Sequence, residues 1–414
     1  MDRLKSRLSG GELLIYRILW LYAGISPLIA FRVSDNFAIG AVDFLLIPAL
    51  FALFFVSGNP VTRITLPYIL FIFFSIISFT ISAAINDFSM GDLSIIRIIS
   101  IFAPFLLVTK IRNFGKTEYC TLARTFLISG GASILLGIAF FHMGIELRTD
   151  QQRIWSGDGT GSSVRAGGIL GNSSNFGHFT SIWGTVSLVS IVLCSPKYAK
   201  TLSIFVFSVA LYSTFISSSR AALLHLILGW VIMIPIIFRI REMVYFFCAA
   251  TAAIVLLVVL SEGEMSGTIA TNIRRLDILN ITGESQFLRT IRYDNWNYLL
   301  QIWQNHPIIG TGYKNIEVVY GVYSDNAFLG IFIELGLFAG VAFIFFWINI
   351  TAKMAYLAFK GSSWGIGALA IIISEISHAF TLDTYTLWYS MPLAMLFTAA
   401  IARVASNDFA GSNA

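Results

Sequence analysis

The 414-residue chain has few charged residues. Only 12% of its residues are Asp, Glu, Lys or Arg, whereas 57% are hydrophobic, and the mean hydropathy is +0.79. This balance lies far outside the range of soluble globular domains. Windows of about 20 apolar residues recur along the chain, each long enough to cross the ~30 Å hydrocarbon layer as a helix. The composition therefore predicts an all-α, polytopic integral membrane protein.

Patterns for metal ligation and disulfide bonding are missing as well. The sequence contains no C-x-x-C and no H-x-x-x-H, and its five histidines are scattered. The three cysteines, Cys120, Cys194 and Cys248, lie in or at the ends of apolar segments without paired spacing. Isolated cysteines in apolar segments are typical of packing residues. We therefore expect no disulfide, no bound metal and no cofactor.

The N-terminal apolar stretch lacks a small-x-small cleavage site, so it is predicted to be the first span and not a cleaved signal. No internal repeat is visible, which argues against the architecture of a secondary transporter. The predicted spans are residues 13–31, 37–56, 64–85, 93–109, 119–142, 169–194, 201–219, 221–238, 243–261, 325–350, 364–382 and 384–402. All twelve belong to one membrane domain, residues 1–414.

The distribution of Lys and Arg predicts the orientation. If both termini are cytoplasmic, every short inner loop carries at least one positive charge, as the positive-inside rule requires. Two long loops, residues 143–168 and 262–324, then lie on the outer side. The net charge of +5 is explained by anionic membrane lipids, so no nucleic-acid partner is expected.

The outer segments are rich in arginine and contain a single lysine, Lys314. Arginine suits bidentate recognition of phosphate and carboxylate, so this set indicates an anionic ligand on the outer side. The alternative is that each arginine pairs with a loop acid or a lipid phosphate. The outer arginines are Arg32, Arg148, Arg153, Arg165, Arg220, Arg274, Arg275, Arg289 and Arg292.

Two segments place polar residues at the mouths of apolar spans. "SSVRAGGILGNSSNFG" carries Arg165, Asn172 and Asn175, and "FISSSRAALL" carries three serines and Arg220. Polar residues at membrane depth are costly unless they face a wet cavity, and a helix N-terminus beside a cation can bind an anion. Helix caps and an ordinary turn with a snorkelling arginine are the alternatives.

A third segment, residues 285–304, repeats apolar residues at helical spacing but is too polar to span a membrane. It predicts an amphipathic helix on the outer surface that ends at His306-Pro307 and carries Arg289 and Arg292 on one face. The alternative is a purely structural lid.

The fourth segment is "YSDNAFLGIFIELG". Asp325 and Asn326 are predicted to cap the span that follows them. Glu334 lies about 13 Å further in, where an acid needs a buried partner such as Arg97 or a backbone group. Glu375 and His378, three residues apart, are predicted to form another buried polar pair.

Taken in order, these segments resemble the O-antigen ligase and O-antigen polymerase superfamily of bacterial envelope proteins. The resemblance rests on "RAGGILGNSSNFG", "SSSRAALL", "RYDNWNYLLQIWQNHPIIGTGY" and "SDNAFLGIFIELG" and covers residues 160–340. It implies a glycosyltransferase of the inner membrane with its active site facing the periplasm. The expected substrates are undecaprenyl-pyrophosphate-linked oligosaccharides, without a metal or a nucleotide sugar, and a chain-length regulator is a further implied partner.

Many ligases of this superfamily have His at the position of Asp325, so the sequence favours a repeat-unit polymerase. The alternatives are an O-antigen ligase and, from another class, a lipid-linked oligosaccharide transporter or a scaffold protein. The expected catalytic residues are Asp325, Arg165, Arg220 and Arg289. The expected substrate-binding residues are Arg292, Asn172, Asn175, His306, Asn326 and Tyr313, and the expected structural polar residues are Glu334 and Arg97.

Overall fold

The structure, a computed structural model, describes residues 8–34, 37–56, 65–85, 94–145, 153–154, 163–164, 166–170, 172–195, 199–237, 284–387 and 389–412. The helices within these residues are α1 Gly10–Ile25, α2 Ala41–Phe55, α3 Thr65–Ile85, α4 Ser94–Lys110, α5 Lys116–His142, α6 Ser173–Cys194, α7 Ala199–Ile216, α8 Arg220–Ile237, α9 Glu284–Asn305, α10 Asn315–Tyr320, α11 Ala327–Phe359, α12 Ser363–Ala379 and α13 Met391–Ser412. The strands are β1 Ala30–Ser34, β2 Phe37–Gly40, β3 Arg153–Ile154 and β4 Ser163–Val164, and short 3₁₀ helices occur at Gly168–Leu170 and Thr384–Thr386.

Each predicted span that falls within the described ranges overlaps a helix, with bounds that differ by several residues; the span at 243–261 lies outside these ranges. Among the described residues, five helices are long and apolar enough to cross a membrane, namely α3, α5, α6, α11 and α13. The helices α2, α4, α7, α8 and α12 contain shorter apolar stretches. The membrane-protein class therefore holds, whereas the number of twelve spans stays a prediction.

Two short antiparallel hairpins depart from the all-α expectation. β1 pairs with β2, and β3 pairs with β4. The first hairpin occupies residues that hydropathy assigns to the predicted spans 13–31 and 37–56. Ser26 still has helical dihedral angles, φ −52° and ψ −41°, but Pro27 has no N–H to continue the helix, so α1 ends and the apolar run continues as a strand. Hydropathy alone did not distinguish an apolar strand from the end of a membrane helix.

The helix α6 lies at the centre of the bundle. Of its 22 residues 18 are buried, and it packs against α5, α7, α8 and α12. Small residues allow these close approaches: a Cβ atom at Gly184 would lie 2.7 Å from Leu226 and 2.8 Å from Ala210. This use of glycine between helices is typical of membrane bundles, where small side chains bring backbones together.

A disulfide joins Cys120 in the first turns of α5 to Cys194 at the end of α6, with a Cα–Cα distance of 5.8 Å. The expectation that these cysteines only pack was wrong. They are 74 residues apart in sequence, and their pairing depends on the antiparallel arrangement of α5 and α6. Spacing along the chain therefore carried no signal for it; Cys248 lies outside the described residues.

The long helix α11 is interrupted at Gly336, which has φ +79° and ψ 178°. The loop 307–312 supplies the backbone hydrogen bonds that the helix loses there. Thr311 N–H donates to the Ile333 carbonyl at 2.8 Å, Gly312 N–H donates to the Glu334 carbonyl at 2.8 Å, and Leu337 N–H donates to the Pro307 carbonyl at 3.0 Å. The loop thus pairs with α11 in an extended, strand-like manner.

Two serines of α3 hold the same loop from its other side. The Ser78 hydroxyl donates to the Ile309 carbonyl, and the Ser82 hydroxyl donates to the Thr311 carbonyl at 2.8 Å. The loop can come this close only because it is rich in glycine: a Cβ atom at Gly310 would lie 2.5 Å from the Glu334 carbonyl oxygen. The tight turn predicted from Gly310 and Gly312 therefore serves as a packing element between α3 and α11.

We expect Gly336→Ala to destabilise the protein strongly. The backbone conformation at residue 336 is essentially restricted to glycine, and a Cβ atom would lie 2.1 Å from the Ile308 carbonyl oxygen. The expected cost is about 3 kcal/mol or more, seen as a lower thermal-unfolding midpoint in detergent or as loss of monodisperse protein. Gly10→Ala is the control, because no atom lies within 4 Å of a Cβ there. Equal midpoints for the two variants would contradict this account of the break.

Candidate functional site

The turn Ser324–Asn326 precedes α11 and contains the acid singled out by the sequence. Asn326 caps the helix: its side-chain oxygen accepts hydrogen bonds from Phe328 N–H at 3.0 Å and Leu329 N–H at 3.1 Å. Asp325 has φ +47°, in the left-handed region, and is half-buried. The expectation that both residues cap α11 is therefore corrected: Asn326 is the cap, and Asp325 stands outside the helix in a constrained conformation.

A second acid, Asp383, holds this turn, and the sequence analysis did not identify it. The Ser324 hydroxyl donates to Asp383 Oδ1, and the Asn326 N–H donates to the same atom at 3.1 Å. Asp383 falls in the single-residue gap between the predicted spans 364–382 and 384–402. The structure begins α13 only at Met391, so the residues before it form a polar segment beside the turn that precedes α11. An acid at the junction of two apolar runs was the available signal.

Burial raises the pKa of Asp383 to about 6 from its usual 3.8. The hydrogen bond from Ser324 acts in the opposite direction, and the nearby carboxylate of Asp325 adds to the increase. Asp383 lies between α12 and α13, outside the spanning helices. Two carboxylates therefore interact at the head of α11, and one of them titrates close to neutral pH.

Glu334 is buried in α11, about two turns after the helix begins at Ala327. The Tyr385 hydroxyl donates to its Oε2 at 2.8 Å. The predicted partner Arg97 lies in α4, but its side chain is outside the described part of the chain. Tyr313 is also buried here, with its ring centroid 6.1 Å from that of Tyr385. Tyr313 is thus a buried residue that packs against the tyrosine bound to Glu334.

The amphipathic helix predicted at residues 285–304 is present as α9. Its residues Leu299 and Ile302 are buried against Ile316 and Ile333, in a small apolar cluster separate from the main core. The Trp296 indole N–H donates to the Ser324 carbonyl at 2.6 Å. The helix α9 is therefore hydrogen-bonded directly to the turn that carries Asp325.

Three further predicted residues lie in α9 or directly after it. Arg289 and Arg292 lie in α9, and their side chains are outside the described part of the structure. His306 follows the end of α9 and is half-buried, and its carbonyl accepts a hydrogen bond from Gly310 N–H at 2.9 Å. His306 therefore marks the start of the loop that pairs with α11.

The two arginine segments of the central helices lie next to each other. Arg165 is outside the described residues, but the following residue, Ala166, donates its N–H to the Ile216 carbonyl at 2.9 Å. Ile216 ends α7, and Arg220 begins α8 four residues later as an exposed side chain. Ser219 caps α8 by accepting the Ala222 N–H at 3.3 Å. The chain path therefore brings residues 166 and 220 to the same end of the bundle.

The two asparagines at the start of α6 have different environments. Asn172 caps the helix by accepting the Asn175 N–H at 3.0 Å. The Asn175 Oδ1 is buried and has no hydrogen-bond partner among the described residues. Asn172 therefore has a structural function in this conformation, while Asn175 keeps an unused acceptor.

Three of the five histidines, which are scattered along the sequence, meet inside the bundle. His178 of α6, His225 of α8 and His378 of α12 are fully or almost fully buried, together with Glu375 of α12. His178 Nε2 lies 3.0 Å from Glu375 Oε2, and His225 Nδ1 lies 3.9 Å from the same oxygen. The predicted pairing of Glu375 with His378 is replaced by a pairing of Glu375 with His178.

The segment 375–390 connects all these features. Glu375 and His378 face α6 and α8, Asp383 holds the turn before α11, and Tyr385 binds Glu334. Ser390 completes the connection, since its Oγ lies 2.7 Å from His178 Nδ1. The N-terminal ends of α6, α8 and α11 and the C-terminal end of α12 are thereby joined through one polar segment.

Residues 205–344 match the family model described as O-antigen ligase. This match confirms the resemblance to the O-antigen ligase and polymerase superfamily. The matched range includes Arg220, α9 and Asp325, whereas Asp383 lies beyond it. No curated protein matches the chain at a significant level.

We expect Asp383 to make stability fall as pH rises. Its folded-state pKa of about 6 exceeds the usual 3.8. Its contribution to the free energy of unfolding is therefore complete below about pH 4 and is lost as pH passes through 6. Asp383→Asn keeps an acceptor oxygen for Ser324 and Asn326 but cannot ionise. The stability of the wild type relative to Asp383→Asn should therefore decrease by up to about 3 kcal/mol between pH 4 and 7.

Thermal-unfolding midpoints of both proteins in detergent, measured across this pH range, provide the test. The matched control is Asp408→Asn, which changes an exposed acid in α13. The midpoint of the wild type minus that of Asp383→Asn should decrease with pH. A value that stays constant or increases would contradict the assigned environment of Asp383.

Proposed function

We propose that this chain, which carries an O-antigen ligase domain, is a polysaccharide repeat-unit polymerase. In this proposal it transfers an undecaprenyl-pyrophosphate-linked glycan onto a new lipid-linked repeat unit at the periplasmic face of the bacterial inner membrane. The observation that carries the proposal is the constrained Asp325 beside Asp383 at the head of α11, in the matched family range. Arginines on neighbouring segments supply the opposite charge that an anionic donor requires.

Asp325 is the proposed base or orienting group for the acceptor hydroxyl. A group that accepts a proton must be held in place before the reaction, and Asp325 is held on both sides. The Asn326 cap fixes the start of α11, and Asp383 fixes the turn through Ser324. Asp383 is thus a positioning residue whose carboxylate also keeps negative charge close to Asp325.

The proposed chemistry is a single displacement. The acceptor hydroxyl attacks the anomeric carbon of the donor glycan, the bond from that carbon to the pyrophosphate oxygen breaks, and the hydroxyl proton passes to Asp325. One displacement inverts the anomeric centre. Undecaprenyl pyrophosphate leaves with the bonding electron pair, so the protein must stabilise the negative charge that develops on it.

Arginines are proposed to provide this stabilisation. Arg220 begins α8, and the chain bearing Arg165 is bonded to the end of α7 through Ala166. Arg292 precedes Trp296 by four residues, or about 6 Å along α9, and Arg289 lies roughly one further turn away. Because Trp296 is bonded to Ser324, α9 carries its arginines close to the turn that holds Asp325.

The contacts of three predicted residues support a smaller set of glycan-binding residues. Asn172 and Asn326 are engaged as helix caps, and Tyr313 is buried beside Tyr385. We therefore assign these three residues to support of the site. Asn175, with its unused acceptor, and His306, at the end of α9, remain the proposed contacts to the sugar hydroxyls.

A ligase that transfers the finished glycan to lipid A core is the second candidate, since the matched family is described as O-antigen ligase. The presence of an acid at position 325, where many ligases have His, favours the polymerase. A transporter would need polar residues through both halves of the membrane, whereas the polar groups described above gather at one end of the bundle. A chain-length regulator is the proposed protein partner of the polymerase.

The lipid-linked and surface glycans of a deletion strain should distinguish polymerase from ligase. Without a polymerase, single repeat units still reach their acceptor, so we expect the ladder of chain lengths to collapse to one unit. Without a ligase, polymerised chains would accumulate on the carrier lipid instead. Gel analysis of both pools gives the answer, and accumulation of long carrier-linked chains would overturn the polymerase assignment.

Within the polymerase, we expect Asp325→Ala and Arg220→Ala to reduce chain extension by at least about 100-fold, because each removes a group that acts in the transition state. Chain-length ladders from complemented deletion strains, normalised to protein level, are the measurement. Asp408→Asn and Arg124→Ala are matched controls, since both change exposed charged residues away from the outer turn. Wild-type ladders in both site variants would show that these residues do not perform the chemistry.

A further inference from the structure

We propose that His178, His225, His378 and Glu375 form a binding site for one divalent transition-metal ion of the zinc class. The site lies between α6, α8 and α12 and is distinct from the turn that carries Asp325. The four side chains have relative exposures between 0% and 1%, so the ion would be enclosed by the helix bundle. The inference concerns residues that the proposed glycosyl transfer does not use, and it stands independently of that proposal.

The distances suit a single ion. One ligand atom from each histidine can be chosen so that all three lie within 4.8 Å of one another. Glu375 Oε2 adds a fourth possible ligand, 3.0 Å from His178 Nε2 and 3.9 Å from His225 Nδ1. Around a tetrahedral zinc ion with bonds of about 2.0 Å, ligand atoms stand roughly 3.3 Å apart. Side-chain rotations that shorten these nitrogen–nitrogen distances would close the site around the ion.

The hydrogen bonding of the cluster is incomplete without a ligand. Neither ring nitrogen of His225 and neither ring nitrogen of His378 has a hydrogen-bond partner among the described residues. A neutral imidazole has one donor and one acceptor nitrogen, and buried polar atoms are nearly always satisfied. A metal ion bound to the acceptor nitrogen of each ring would give two of these four nitrogen atoms a partner at once.

His178 already has the support expected of a metal ligand. Its Nδ1 lies 2.7 Å from the Ser390 hydroxyl, which leaves Nε2 directed at Glu375. Histidine ligands commonly use one nitrogen for the metal and the other for a fixed partner that sets ring orientation and tautomer. Ser390 would thus orient His178 from the segment that also contains Asp383.

Packing of the rings is the competing explanation. The centroid of His178 lies 4.4 Å from that of His378 and 6.1 Å from that of His225, and the rings meet edge to face. Such packing would be equally possible for phenylalanine rings, which have no unsatisfied nitrogen atoms. It also gives no reason for a buried carboxylate in contact with two imidazoles. Imidazole and carboxylate together suit zinc-class ions, whereas magnesium and calcium prefer all-oxygen sites.

The ion would act as a structural link. His225 lies five residues after Arg220 in α8, and His378 lies five residues before Asp383. An ion bound to both would tie the helix that begins with Arg220 to the helix that leads into Asp383. Its binding would therefore fix the spacing between two elements of the outer end of the bundle.

The test uses the full chain, purified in detergent without a histidine tag and stripped of metal with a chelator. Addition of zinc chloride alone should restore about one zinc per chain by elemental analysis and raise the thermal-unfolding midpoint. The double variant His225→Phe/His378→Phe keeps two rings in the core but removes their nitrogens, and it should lose at least nine-tenths of the bound zinc. The control His142→Phe/His306→Phe changes the two histidines outside the cluster and should bind zinc as the wild type does.

Cobalt(II) provides a second measurement that does not depend on any variant folding. Loading the stripped wild-type protein with cobalt chloride should give the visible absorption of a four-coordinate nitrogen and oxygen site, and zinc chloride should displace it. No zinc uptake by the wild type, or equal uptake by the cluster variant and the wild type, would overturn the proposal. A six-coordinate cobalt spectrum would also overturn it, since that spectrum indicates weakly held surface ions.

Discussion

The backbone pairing between the loop 307–312 and the interrupted helix α11 is the constraint on which the end of the bundle near Asp325 depends. Thr311, Gly312 and Pro307 supply hydrogen bonds that α11 would otherwise make within itself around Gly336. An unpaired backbone group costs several kcal/mol in a hydrocarbon environment, so the break can exist only with the loop in place. This pairing sets the position of the segment after α9 and the depth of Glu334. Through Glu334 it determines where Tyr385 can bind.

The segment 375–390 extends that arrangement across the bundle. Its acid Asp383 fixes the turn at Asp325, its tyrosine binds the acid of α11, and its serine contacts the central helix α6. The same segment therefore touches the proposed base and the histidine cluster. A membrane bundle gains little from apolar burial between helices in lipid, so close packing and interhelical hydrogen bonds contribute more of its specificity. The polar contacts of residues 375–390 are an example of this rule.

Sequence reasoning succeeded where the signal is local. Hydropathy predicted the helices, and apolar spacing predicted α9 from its own residues, such as Leu299 and Ile302. It failed where residues distant in sequence meet. His178 and Glu375 are separated by 197 positions, and Cys120 and Cys194 by 74, so no window along the chain contains either pair. Asp383 was not identified because the apolar runs on both sides of it were interpreted as membrane helices, with a single residue between them. The sequence predicted that both Asp325 and Asn326 cap α11. Backbone geometry decides which of two adjacent residues is the cap, and the sequence pattern does not contain that geometry.

The break in α11 also has a consequence for biogenesis. During synthesis the loop 307–312 emerges before α11, so under the predicted orientation it reaches the outer side before that helix inserts. The helix α3, whose Ser78 and Ser82 bind the loop, has been made still earlier. The hydrogen-bond donors for the Ile333 and Glu334 carbonyls of α11 are therefore available when this helix enters the membrane. Assembly in chain order would allow an interrupted helix to insert without an interval in which its backbone is exposed to lipid.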